Sequence, residues 1–153
     1  MAGACRVLRP RFYKSAVYGA VCDSKLLSES AREVIFDALY EAQVRGDIIF
    51  TVGFSHAPTI DIVGIKEANR LAMEEALRQI ISHSSDVGVW IDGNDHYHFP
   101  TLVGGILEIR EFIRGDARHK IIGCASIVAK VTRDRYMRGL AREYPLYGLD
   151  RHK

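Results

Sequence analysis

Three aspartates stand where a chain of this kind can do metal chemistry. Asp92 closes the apolar run of residues 87–91 in VGVWIDGND, Asp116 follows an alternating segment in FIRGDAR, and Asp134 lies in AKVTRDR within a long helical pattern. Carboxylates that converge from strand ends and a helix suit a hard divalent cation such as magnesium. Two such ions, about 3.5–4 Å apart, can hold both the attacking and the leaving oxygen of a phosphodiester. Each acid also has an ordinary structural use. Asp92 with Gly93 can open a turn, Asp116 can cap a helix, and Asp134 can pair with Arg138 at helical spacing.

The elements that must position these acids read as strand, helix, strand, helix, strand, strand, helix. Residues 4–8 form a short strand. Ser30 and Glu33 make an S-x-x-E capping pattern for a helix carrying Val34, Ile35, Ala38, Leu39 and Ala42 on one face, and Gly46 ends it. DIIFTVGF, residues 47–54, is a strand. Residues 58–61 are a turn and helix entry, followed by the stripe Ala68, Leu71, Ala72, Ala76, Leu77 and Ile80. Residues 87–92 read as a strand buried on both faces, and 106–113 as another. A long helix spans about 121–143 with Ala125, Ile127, Val128 and Val131 inward. Strands alternating with helices define an α/β layered fold. In open sheets of that class the active site lies at the carboxyl ends of the strands, which is where Asp92 falls. A buried strand places a ligand more accurately than a loop does.

Composition sets the limits. The 153 residues suffice for one domain with a real core. The sequence has no apolar run of membrane-spanning length and no secretory signal pattern at its start. Cys5, Cys22 and Cys124 are odd in number and form no C-x-x-C pair, which points to a reducing, cytoplasmic compartment rather than a disulfide scaffold or zinc ribbon. Net charge is only +2, but residues 114–153 hold ten Lys and Arg against four Asp and Glu. A basic third of this kind attracts phosphate backbones, or is simply a solvated helix face. The His96-Tyr97-His98 cluster reads as a solvent-facing loop, and Cys124 as core. Neither GxxxxGKS nor GxGxxG occurs, which disfavours a P-loop or dinucleotide enzyme.

The ordered blocks DSKLLS (23–28), VGFS (52–55), IDGN (91–94), RGDA (114–117), ASIVAKVTRDR (125–135) and YPLYGLDRHK (144–153) resemble the ribonuclease HII family. Its usual forms are DSKKLS, VGxAS, VDGN, KGD, ASIxAKVxRD and YPxYGFxxHKGYGT. The likeness runs from about Ala4 to Lys153, and ASIVAKVTRD is its most specific block. The resemblance implies a ribonuclease H-like α/β fold with a mixed central sheet flanked by helices. It implies cleavage of the RNA strand of RNA/DNA hybrids, or of ribonucleotides embedded in DNA, with Mg2+ or Mn2+. Carried over residue by residue, Asp92 and Asp116 match two of four family carboxylates, and Asp134 matches a nearby helix acid. Ser24, Lys25, Lys130 and Arg133 become candidates for contact with phosphate. His152 and Lys153 match the family's HK pair.

The sequence departs from the family at both ends. The amino-terminal GxDEAGRG block, which supplies the family's first Asp and Glu, has no counterpart before residues 4–8, and the chain stops before GYGT. The expectation is a single ribonuclease HII-like domain over 1–153, shortened at both ends and lacking its first strand. Such a chain is an incomplete gene product, a non-catalytic nucleic-acid-binding relative, or a fragment that needs a complementing segment.

Overall fold

The structure is a computed structural model that describes residues 1–81, 87–102 and 105–151. Strand β1 (Ala2–Val7) is followed by a short helix α1 (Ala16–Ala20), helix α2 (Glu29–Val44), strand β2 (Ile48–Gly53) and helix α3 (Ala57–Ile81). Strands β3 (Val87–Asp92) and β4 (Ile106–Phe112), the short helix α4 (Gly115–Arg118) and the long helix α5 (Lys120–Glu143) complete the regular elements that concern the site. The order is the one read from the sequence, with α1 and α4 added.

The sheet comes in two ribbons. β1 pairs antiparallel with β2, with Ala2 opposite Gly53 and Val7 opposite Ile48. β3 pairs parallel with β4, with Trp90 opposite Arg110 and Asp92 opposite Phe112. Both strand senses of a mixed sheet are therefore present, but among the described residues no strand bridges the two ribbons. One core, of Phe12, Ile35, Leu39, Ile48, Ile127 and Val128, lies between α2, α5 and the antiparallel ribbon. A second, of Val89, Ile91, Phe99 and Leu102, joins the parallel ribbon to Met73 and Leu77 of α3. Among the described residues no helix is long and apolar enough to cross a membrane.

Helix α2 starts two residues earlier than its capping pattern suggests. Ser28 is the N-cap, its Oγ accepting from the Ala31 N–H at 3.2 Å, while the Ser30 hydroxyl meets that of Ser28 at 3.1 Å. Glu33 is thereby released from capping and reaches Arg135 and Arg138 on α5. The buried stripe is rotated accordingly. It consists of Arg32, Ile35, Leu39 and Ala42, while Val34 faces solvent. The helix stops as expected at Gly46, whose φ of 71° lies in the left-handed region. The Gly46 and Asp47 N–H groups bond back to Gln43 and Ala42 carbonyls, a Schellman ending. Helix α3 is broken at Gly64, where φ is 80° and ψ is 162°, so residues 57–63 form the expected entry and the Ala68-Ala72-Ala76-Ile80 stripe is buried beyond it.

β3 corrects one expectation. Val89 and Ile91 are buried, but Trp90 on the opposite face is 44% exposed. The strand is therefore covered on one face by α3 and the 97–102 segment and only partly covered on the other, the face that Trp90 shares with Asp92.

A candidate metal and nucleic-acid site

The site starts from the parity of β3. Because Val89 and Ile91 anchor one face, Asp92 must project from the other, and β4 pairing continues past it through the Gly93 N–H to the Phe112 carbonyl at 3.0 Å. Trp90 packs there against Phe112 and His119, with ring centroids 5.2 and 4.9 Å apart. Asp92 is exposed, and its Oδ1 accepts from the Gly115 N–H at 2.7 Å. A side chain at Gly115 would be crowded there. A Cβ at position 115 would stand 2.8 Å from Ile122 Cδ1, 3.1 Å from Phe112 Cβ and 3.4 Å from Asp92 Cα. The preceding residue, Arg114, is held in the left-handed region at φ 56°, a conformation uncommon for a residue with a side chain and enriched at functional turns.

Asp116 follows directly and is 3% exposed. Its Oδ2 lies 3.7 Å from the Lys25 ammonium. Its Oδ1 is buried with no hydrogen-bond partner among the described residues. A buried carboxylate oxygen left without a donor is costly, and an oxygen donor of this kind beside a second carboxylate fits a hard cation. The fit is partial: among the described residues no group of three or more His, Cys, Asp or Glu is arranged to hold a metal ion.

Asp134 is held elsewhere. Its Oδ2 lies 3.6 Å from Arg32 and its Oδ1 3.6 Å from Arg133. The Asp116 backbone packs at Gly123, and at 1.5 Å per residue Asp134 is about 16 Å further along α5. The structure thus ties Asp92 to the turn that carries Asp116 and leaves Asp134 out. Nor does Asp134 pair with Arg138, which reaches across to Glu29 and Glu33 of α2.

Ser24 and Lys25 belong to a turn. Asp23 Oδ1 accepts from the Lys25 N–H at 2.9 Å, and the Asp23 carbonyl from the Leu26 N–H at 3.0 Å. Ser24 is buried and its Oγ meets Ser126 Oγ at 2.9 Å, which joins the DSK turn to α5. Lys130 and Arg133 are half-buried on the same helix. His152 and Lys153 lie outside the described residues. His96 and His98 are exposed, with the N–H groups of His96 and Tyr97 donating to Glu111. Cys124 is fully buried. Sequence reasoning missed Arg32. The available signal was its place three residues before Ile35, in register with the buried stripe.

An α/β chain with an acid at the end of a parallel strand, a second acid on the next turn and a lysine beside it has the frame of a ribonuclease H-like protein. Solved structures share that fold. A chain of the PCNA:RNase HII complex from Archaeoglobus fulgidus matches 92% of this chain and 66% of its own length, with a TM-score of 0.64 at 19% identity. The ribonuclease H2 from Pyrococcus horikoshii OT3 matches with a TM-score of 0.53 at 20% identity, over 95% of this chain and 78% of its own. The family model for Ribonuclease HII matches residues 1–153, and the chain belongs to that family. Curated relatives named Ribonuclease HII include one from Fusobacterium nucleatum, 36% identical over 86% of this chain and 57% of that protein. Another, from Caldicellulosiruptor bescii, is 34% identical over 92% and 62%. The chain thus spans about three-fifths of the length of these relatives.

Proposed function

We propose that this chain carries the metal-binding and strand-holding face of a ribonuclease HII-type endonuclease, which hydrolyses the RNA strand of RNA/DNA hybrids or ribonucleotides embedded in DNA. The observation that carries the reading is the buried, unpartnered Oδ1 of Asp116 next to Asp92. Asp92 and Asp116 would hold Mg2+ or Mn2+, leaving the other positions to water and substrate phosphate, as magnesium sites commonly do. When bound, such an ion stabilises the negative charge that develops around the transferring phosphorus. Lys25 supplies a cation at the same place. Lys130, Arg133, His152 and Lys153 add basic groups that orient a phosphate backbone without reading its sequence, while the buried Ser24 holds the turn that carries Lys25. The three free cysteines suit a reducing, cytoplasmic setting.

The test is a labelled RNA/DNA hybrid, and a DNA duplex carrying one ribonucleotide, with Mg2+ and with Mn2+. Binding should be steeply salt-dependent through counterion release. Cleavage by this chain should be slow, because among the described residues no group of three or more His, Cys, Asp or Glu is arranged to hold a metal ion. Binding with no cleavage under either metal favours a non-catalytic nucleic-acid-binding relative. No binding at 50 mM salt rejects the proposal.

A further inference from the structure

Arg32 is a guanidinium in the buried stripe of α2, 6% exposed. It reaches three partners. Nη1 donates to the Leu27 carbonyl at 2.6 Å and to the Ser24 carbonyl at 3.3 Å, and Nη2 lies 3.6 Å from Asp134 Oδ2. The two carbonyls stand on either side of Lys25, one within the DSK turn and one just beyond it, and the carboxylate belongs to α5. Ser126, two helical turns before Asp134, grips the same turn through Ser24. Held in this way, the turn projects Lys25 to Asp116, 3.7 Å away, although the Lys25 side chain is itself 68% exposed. A long exposed lysine has nothing of its own to fix its direction, so that direction is set by the backbone that carries it.

We propose that Arg32 is a positioning residue and Asp134 its anchor, the pair clamping the DSK turn onto α5 so that Lys25 meets a nucleic-acid phosphate at Asp116. This rests on the nuclease reading in one respect, that a phosphate is what Lys25 meets. A guanidinium suits the place: Nη1 serves the two carbonyls while Nη2, held in the same plane, faces the carboxylate, a fixed geometry that a flexible ammonium does not supply. It also gives the separated acid of the RDR segment a use. Asp134 neutralises a buried cation, and a buried cation without its partner is strongly destabilising.

Two measurements on the full chain test the clamp. In the first, fluorescence anisotropy reads the affinity for a labelled RNA/DNA hybrid across salt concentrations, at a temperature where circular dichroism shows every variant folded. Lys25→Ala should lower affinity on the order of tenfold at 50 mM salt and reduce the slope of log K against log[salt] by about 0.9, the loss of one phosphate contact. Asp134→Asn and Arg32→Lys should reproduce that slope change in the Lys25 background and add nothing to Lys25→Ala. Equal losses in both backgrounds would reduce Arg32 to a stability role and overturn the proposal. In the second, trypsin cleavage at the Lys25–Leu26 bond should accelerate in Asp134→Asn and Arg32→Lys relative to other sites. An unchanged rate there would overturn the clamp without reference to nucleic acid. If Asp134→Asn does not fold, Ser126→Ala removes one grip on the same turn and should shift both readouts in the same direction. An unaltered chain that binds no hybrid rejects the nuclease reading and the role of Lys25, while the trypsin rates still judge the clamp.

Discussion

The Gly115 N–H donates to Asp92 Oδ1 at 2.7 Å, tying the end of β3 to the turn that carries Asp116. This one bond sets the register of two acids 24 positions apart in sequence. It also uses only one oxygen of Asp92, so Asp92 can bind a cation while remaining anchored.

If Asp92 is a ligand, Asp92→Asn should leave the melting temperature of the metal-free chain nearly unchanged, since the amide oxygen can still accept from Gly115. The rise in melting temperature on adding manganese should be lost. At ten times its dissociation constant, a ligand adds about 1.4 kcal/mol, or roughly 3–6 °C in a chain of this size. Four melting curves decide the matter. An equal manganese shift in both proteins removes Asp92 from the site, and no shift in the unaltered chain at millimolar manganese removes the acid pair.

Gly115→Ala forces a methyl group to 2.8 Å from Ile122 Cδ1 and 3.1 Å from Phe112 Cβ. Overpacking of this kind costs about 1–3 kcal/mol, visible as a shifted urea midpoint. The manganese response should weaken too, since the turn carrying Asp116 must move away from Asp92. A variant as stable as the parent would show that the α4 turn is loosely held.

Glu33 accepts hydrogen bonds from Arg135 and Arg138, with Arg135 also 4.5 Å from the Phe36 ring. The hydrogen bond from Arg135, reinforced by Arg138 against a burial effect of opposite sign, holds the Glu33 carboxyl below its usual range. A lowered folded pKa stabilises above the unfolded value, and the contribution is lost as pH falls through the folded one. Glu33→Gln should therefore be less stable at pH 7 by roughly 0.5–1 kcal/mol, a partly exposed network being screened. The gap should close as pH drops below about 4, near and below the unfolded carboxyl value. A gap independent of pH would assign Glu33 to packing.

Cys22 is exposed, whereas Cys124 is buried and Cys5 turns its thiol to it. The hydrogen bond with Cys124 and burial push the Cys5 thiol well above its ordinary value. Since the thiolate is the reactive form, a disulfide reagent at pH 8 should label Cys22 alone in the folded chain and all three cysteines in denaturant. Rapid labelling of a second thiol would show that β1 separates readily from α5.

The sequence by itself determined the elements, because their signals are local. A period of 3.6 marked α5, glycine's access to the left-handed region stopped α2 at Gly46, and the apolar run ending at residue 92 put an acid at a strand terminus. It also offered Asp92 at the end of one strand and Asp116 shortly after the next, together with Asp134. Partners far apart in the chain were decided only by packing. Glu33 has the spacing of a capping residue, but two arginines about a hundred positions away compete for it and win. Asp134 has the spacing of an (i, i+4) pair with Arg138, yet the buried Arg32 takes it, because a cation enclosed between two helices needs a counter-charge more than a surface arginine does. Trp90 has the composition of a doubly buried strand, but its face of β3 is only partly covered, by Phe112 and His119, and the ring stays 44% exposed. Periodicity reports which side of an element is apolar, and only the assembled layers decide what meets that side.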